Sequence, residues 1–186
     1  DVRVGDRVVI HFRNQLPEPS NIHWHGLHVP PAQDGMPMDL VAPGGGRDYT
    51  FTVPRGTAGT YWYHPHPHMK TGEQVALGLA GAFIVNDAEE AALNLPSGLY
   101  EVPLILRDAD FDSAGNLSYT AKSSGFLGKT PLVNGTLSPE LQVDTAIYRF
   151  RVLNGANARV FRLALSNGAP LVVIGNDGGL LDTAPA

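Results

Sequence analysis

The chain has 186 residues, 43% of them hydrophobic and 17% charged, which is enough apolar material for a globular core and far from a disordered composition. The net charge of -5 and the lack of any basic cluster argue against a nucleic-acid or anionic-membrane surface, and no apolar stretch approaches the roughly 20 residues of a membrane span. With no cysteine in the chain, disulfides, thiolate metal ligands and a cysteine nucleophile are all excluded.

Helical periodicity is scarce and alternation is common. Arg7 to Arg13 alternates and ends at Asn14, as a strand does. Asp48 to Val53 sets Tyr49, Phe51 and Val53 on one face, Gly59 to Tyr63 is aromatic and extended, and Gly81 to Val85 is a short apolar strand closed by Asn86-Asp87. Between them Thr71 to Leu79 is the one helical candidate. The stretch from Ala88 to Gly98 reads as a connector with a turn of helix. A second set of strands follows at Glu101 to Arg107, Pro131 to Val133, Ala146 to Leu153, Val160 to Leu165 and Pro170 to Gly175. The high Gly and Pro content suits many short strands joined by turns. Each half has an alternating strand ending in Asn (Asn14, Asn154), a loop, and another strand. Two related β-domains are therefore expected: residues 1–88, a linker over 89–98, and an incomplete second domain over 99–186. The chain starts without Met inside a strand pattern and stops after an apolar segment, so a trimmed fragment is expected.

Six of the seven histidines fall in two tight clusters, His23-Trp24-His25-Gly26-Leu27-His28 and His64-Pro65-His66-Pro67-His68. In a strand, residues i and i+2 share a face with α-carbons about 6.5–7 Å apart. His23 and His25 thus present two imidazoles side by side, able to chelate one metal or to serve two adjacent ones. His64 and His66 each precede a proline, which holds the segment extended and stiff and so reduces the entropy lost on binding. Neutral imidazole suits copper, zinc, iron or nickel. A lone histidine such as His11 is by default a surface or core residue, but two His-x-His pairs in one short β-domain point to a metal site.

His23-Trp24-His25-Gly26 and Trp62-Tyr63-His64-Pro65-His66 resemble the first two of four copper motifs in multicopper oxidases, the group of laccases, bilirubin oxidases and cuprous oxidases. Lys70-Thr71-Gly72 through Leu79-Ala80-Gly81, Leu153-Asn154-Gly155-Ala156-Asn157-Ala158-Arg159 and Asn176-Asp177-Gly178-Gly179-Leu180-Leu181 are most similar to bacterial copper-efflux-type members. The resemblance runs along essentially the whole chain. It implies an all-β fold of cupredoxin-like Greek-key β-sandwich domains and a periplasmic or secreted protein. It implies that His23 binds the type 2 copper and that His25, His64 and His66 bind the type 3 pair of a trinuclear cluster. His28 and His68 fall outside the ligand positions and are expected behind the ligands or at the surface. Trp24 is expected as a wall of the site. Asp34, in Gln33-Asp34-Gly35-Met36-Pro37, matches an acidic residue that helps deliver protons; a turn-forming Asp-Gly is the plainer reading, and one carboxylate can do both. The partners implied are O2 and a small reducing substrate, such as a phenol, bilirubin or Cu(I).

The resemblance also implies what these residues lack. The type 1 copper of the family uses a cysteine with two histidines, and half of the trinuclear ligands belong to a last domain. The remaining oxidase domain or domains are expected in a lost region or a second chain, so these 186 residues alone are not expected to turn over. Met36, Met38 and Met69 are too few for a methionine-rich copper insert and are expected in loops or core packing. Two other classes compete. A non-catalytic copper-binding or scaffold cupredoxin would keep the fold, although such relatives usually lose the ligand histidines. A mononuclear zinc enzyme could use one His-x-His pair and a third histidine, leaving the second pair unexplained. A copper nitrite reductase needs a cysteine in its first domain.

Overall fold

In the computed structural model, residues 1–182 are described; the last four residues of the second expected domain lie outside them. The first ninety residues form β1 (Val2–Arg3), β2 (Arg7–Arg13), β3 (His23–His25), β4 (Gly46–Thr52), β5 (Gly59–His64) and β6 (Gly81–Asn86). One sheet runs β1-β6-β5-β3, and β2 pairs with β4 in a second. The antiparallel register sets Val8 against Phe51 and Ile10 against Tyr49. Alternation then directs Val8, Ile10 and Phe12, with Tyr49, Phe51 and Val53, toward the first sheet. There they meet Trp24 of β3, Tyr61 of β5 and Val85 of β6 in one buried cluster. The result is two sheets packed face to face. Each large side chain so buried contributes about 1.5–3 kcal/mol.

Helix α1 (Thr71–Ala76) is shorter than the expected Thr71 to Leu79. Gly78 takes a φ of +107°, and the Arg107 guanidinium fills the space where its Cβ would stand. The chain therefore leaves the helix early, and Arg107 Nη2 donates to the Ala76 carbonyl at 3.1 Å. That is a cation at a helix C-terminus, where the unpaired carbonyls favour it.

The expected connector contains α2 (Ala88–Ala92), capped by the Asp87 carboxylate, which accepts from Glu90 N at 2.8 Å. Beyond it, β7 (Glu101–Phe111) is the hub. It pairs antiparallel with β8 (Leu117–Ser118) and β9 (Thr130–Val133), and parallel with β10 (Arg149–Asn154). The expected strands at Val160 to Leu165 and Pro170 to Gly175 do not form. Of the latter only its end does, as β11 (Gly175–Asn176) against β12 (Gly179–Leu180). A strand needs a neighbour for its N–H and C=O groups. Among the described residues nothing pairs with 160–165, and its Val160 is exposed.

The two halves are joined by a buried ionic cluster. Arg151 donates from Nε to Glu101 at 2.6 Å, from Nη2 to Glu90 at 2.7 Å and from Nη1 to Thr60 Oγ1 at 2.7 Å. Arg149 Nη1 lies 2.6 Å from the same Glu90 carboxylate. Thr60 belongs to β5, which carries His64 at its other end. The cluster thus seats the second half on the sheet face that bears the histidines. Removing one partner of such a group strands a buried charge. Arg151→Ala is expected to lower stability by roughly 3–5 kcal/mol, read as a shift in the urea denaturation midpoint followed by circular dichroism.

Candidate metal centre

Strands β3 and β5 pair antiparallel with His23 opposite His64, Trp24 opposite Tyr63 and His25 opposite Trp62. Side-chain alternation does the rest. Trp24 faces the core and is buried, so His23 and His25 stand on the outer face, with Trp62 and His64 beside them. His66 follows through Pro65. The ring centroid of His23 is 5.8 Å from that of His25, 5.3 Å from His64 and 5.2 Å from His66. Those of His25 and His64 are 5.4 Å apart, and His64 and His66 5.7 Å. All four expected ligands therefore come together. Ligand nitrogens of His23, His25 and His64 lie within 4.8 Å of one another.

Each ring is oriented by a neighbour. His23 Nδ1 lies 3.0 Å from the Asp34 carbonyl and 3.0 Å from Asp34 Oδ1. An Nδ1–H donated there leaves Nε2 as the free lone pair, the arrangement that aims and strengthens a ligand imidazole. His64 Nδ1 donates to the Pro65 carbonyl at 2.8 Å, which again frees Nε2. That Nε2 faces His25 Nδ1 at 3.2 Å. His66 Nδ1 is buried with no hydrogen-bond partner. Four imidazoles, one of them with an orphaned buried nitrogen, fit a metal better than they fit one another. A soft-to-borderline ion such as copper suits this all-nitrogen donor set.

Trp62 packs at a tilt against both His25 and His64, with ring centroids 4.7 and 4.2 Å away. Trp24, expected as a wall of the site, instead supports it from behind, donating its indole N–H to the Gln33 carbonyl at 2.9 Å. Burial pushes the His64 imidazole down to about 4, helped by the positive charge that His23, His25 and His66 can carry and opposed by the Pro65 hydrogen bond. His25 is lowered too, chiefly by burial. Both are held neutral, the form a metal requires.

Asp34, expected as the acidic residue of the site, lies beside His23. Its Oδ1 also accepts from Trp24 N at 3.3 Å. Gly35 next to it has a φ of +57°, and a Cβ there would collide with the Ile22 carbonyl. The Asp-Gly pair is thus a turn that presses the carboxylate against β3. His28 and His68 are exposed and stand outside the cluster. Met36, Met38 and Met69 contradict the core-packing option: all three are exposed.

Two buried amides, one gripping the site and one bracing the loop before β3, carry no signal in the sequence. Buried Asn21 accepts from the His66 backbone N–H at 2.6 Å and donates to the carbonyls of Gly35 and Met36. Buried Gln74 of α1 accepts from Ser20 Oγ at 2.8 Å and donates to Glu18 Oε1 and the Pro19 carbonyl. Both lie near the histidine motifs in the chain, yet a lone amide carries no pattern that marks it as buried.

A two-sheet unit with paired His-x-His strands on one face is a cupredoxin-like fold. Residues 1–90 match the family model described as multicopper oxidase. Over 186 residues the chain is 40% identical to multicopper oxidase mco of Staphylococcus haemolyticus, spanning 98% of this chain and 41% of that protein. It superposes on the crystal structure of the McoA multicopper oxidase of Aquifex aeolicus with a TM-score of 0.89 at 44% identity, covering 98% of this chain and 42% of that one. Cell division protein FtsP of Sodalis glossinidius is 39% identical over 95% of this chain and 38% of its own length. The chain belongs to the multicopper oxidase family, and it spans about two fifths of the length of the curated relatives it matches.

Two predictions follow from this geometry. Asn21→Ala leaves three backbone groups without their partner, so stability should fall by roughly 2–4 kcal/mol, and copper affinity should fall with it; urea denaturation and copper titration check both. His64 is held below its ordinary value of 6.5, so the unfolded chain takes up that proton first as pH falls. Its contribution to stability is present above about pH 6.5 and is lost on descending to about 4. The metal-free protein should show a falling urea midpoint across that window, and His64→Gln should flatten part of the fall.

Proposed function

We propose that this chain supplies half of the ligands of a trinuclear copper site in an oxidase. That oxidase couples one-electron oxidation of a small substrate, a phenol or a metal ion such as Cu(I), to four-electron reduction of O2 to water. The observation that carries this reading is the convergence of His23, His25, His64 and His66 at one end of the sheet, with His23 5.2–5.8 Å from each of the others between ring centroids. Copper bound there supplies one-electron redox chemistry next to O2.

The chain's own residues hold, orient and shield that centre. His23 serves the type 2 ion, and His25, His64 and His66 serve the type 3 pair. His23 and His64 offer Nε2, because Nδ1 of each is engaged with Asp34 and Pro65. Trp62 lies beside the His25 and His64 rings and helps bury His64, while His25 stays open to solvent. Asp34 is the proton-handling group: its carboxylate is partly accessible, and its Oδ1 sits 3.0 Å from His23 Nδ1. It can hold a proton at the edge of the site without admitting bulk water. The reading further has two cupredoxin domains, over 1–88 and 99–186, with the other copper ligands coming from the remaining oxidase domain or domains. It also has a periplasmic or secreted location; among the described residues no helix is long and apolar enough to cross a membrane.

The likeness to a cell division protein favours a second reading, a copper-binding or scaffold member that does not turn over. Retention of all four imidazoles in bonding orientation weighs against it. A mononuclear zinc site accounts for three histidines and leaves His66, with its orphaned Nδ1, without a purpose.

Copper stoichiometry by elemental analysis tests the proposal. Cu(II) should bind in a nitrogen-rich shell, and His64→Ala should remove copper from the type 3 positions while circular dichroism stays unchanged. Equal copper content in the variant and the parent would sink the assignment. In the oxidase that contains this chain, Asp34→Asn should slow O2 uptake by about 10²–10⁴-fold, the range for loss of a positioned proton donor, with copper content retained.

A further inference from the structure

All three methionines of the chain are exposed: Met36 at 46%, Met38 at 77% and Met69 at 89%. Methionine is a flexible, polarizable apolar side chain, and exposed in this chain the three thioethers are free to reach a ligand. They are also not scattered. The His68 backbone N–H donates to the Pro37 carbonyl at 3.2 Å. Met36 and Met38 flank Pro37, and Met69 follows His68. Three thioethers and one exposed imidazole therefore stand within one residue of a single hydrogen bond. Buried Asn21 holds the Met36 carbonyl at 2.9 Å and the His66 N–H at 2.6 Å, which stitches the same two loops together a second time. Met69 adopts a φ of 60°, a left-handed conformation that non-glycine residues rarely take, so local backbone preference does not explain that methionine.

We propose that Met36, Met38, Met69 and His68 form a surface site for a soft monovalent metal ion, Cu(I) or Ag(I), separate from the histidine centre. Thioether sulfur is a soft ligand that selects such ions over divalent zinc, calcium or magnesium. Each methionine has three rotatable bonds, so four side chains rooted this closely can close around one ion. Flexible neutral donors at the surface also suit an ion that must be released again. The site does not depend on the oxidase reading, since none of its side chains belongs to the proposed centre.

The absence of cysteine makes the test clean, because any sulfur ligand must come from these methionines. The chain is loaded anaerobically with one equivalent of Cu(I) and its X-ray absorption is measured, with affinity from competition against a chromophoric Cu(I) chelator. Sulfur scattering is expected in the parent and in His64→Ala. Affinity is expected to fall at least tenfold in Met36→Leu/Met38→Leu/Met69→Leu, with circular dichroism unchanged. Met69→Leu alone, at the most exposed position, should weaken binding severalfold and serves as the second variant. A shell of nitrogen and oxygen only in the parent overturns the proposal. So does unchanged affinity in the leucine variants. Loss of the sulfur in His64→Ala overturns the separateness of the site.

Discussion

The pairing of β3 with β5 in the register His23 to His64 is the constraint on which the rest depends. Side chains alternate along a strand with period two, so a slip of one residue exchanges the faces. Such a slip would drive His23 and His25 into the apolar layer and push Trp24 into solvent. Trp24 is buried against Tyr49, Phe51 and Phe83, and its indole N–H is bonded to the Gln33 carbonyl. The hydrophobic core therefore sets the register, and the register sets the histidine constellation. Stability and chemistry share one strand, on opposite faces.

Holding the fourth histidine takes a different device. His66 lies beyond the end of β5, where no ladder positions it. Pro65 and Pro67 restrict its backbone, and Asn21 grips its N–H. The same amide grips the Asp34-to-Met36 turn, so the acidic residue and the last imidazole are located by a single buried side chain. Gln74 repeats the arrangement one step further out, tying α1 to the loop that leads into β3. Buried amides with every hydrogen bond made confer rigidity, and they are costly to lose. Rigidity is what a constellation of side chains drawn from several segments needs to keep one geometry.

Much of this was legible in the chain, and the limits are physical. The His-x-His pairs, the strand alternation at Arg7 to Arg13 and the apolar face of Tyr49, Phe51 and Val53 are short-range patterns, and each forms as read. The turn at Asp34-Gly35 was legible because Asp-Gly is a turn dipeptide; the acidic role assigned to Asp34 came from the family resemblance. Asn21 and Gln74 were not legible, since their roles exist only once segments 14–56 residues apart have met. Val160 to Leu165 failed in the opposite sense. Its alternation is genuine, but a strand is a property of a pair, and among the described residues it has no partner. The early end of α1 came from Arg107, which reaches it from a strand 31 residues later, a contact no local window contains.

The histidine face also explains why the second half of the chain docks where it does. An outer sheet face carrying Thr60, Trp62 and His64 is neither apolar enough to pack as a core nor polar enough to be left wholly to water. Arg151 resolves one end of it, satisfying Thr60 Oγ1 and two carboxylates at once. Arginine is the residue suited to this, because its planar fork can serve three acceptors from one buried position. At the other end burial, first of all, and the neighbouring imidazoles lower His25 and His64, and His66 Nδ1 is buried without a partner. One end of β5 is thus saturated with charge-assisted bonds, while the other is kept deliberately short of partners. That shortage is what makes a metal ion the natural occupant of a face that hydrogen bonds alone leave incomplete.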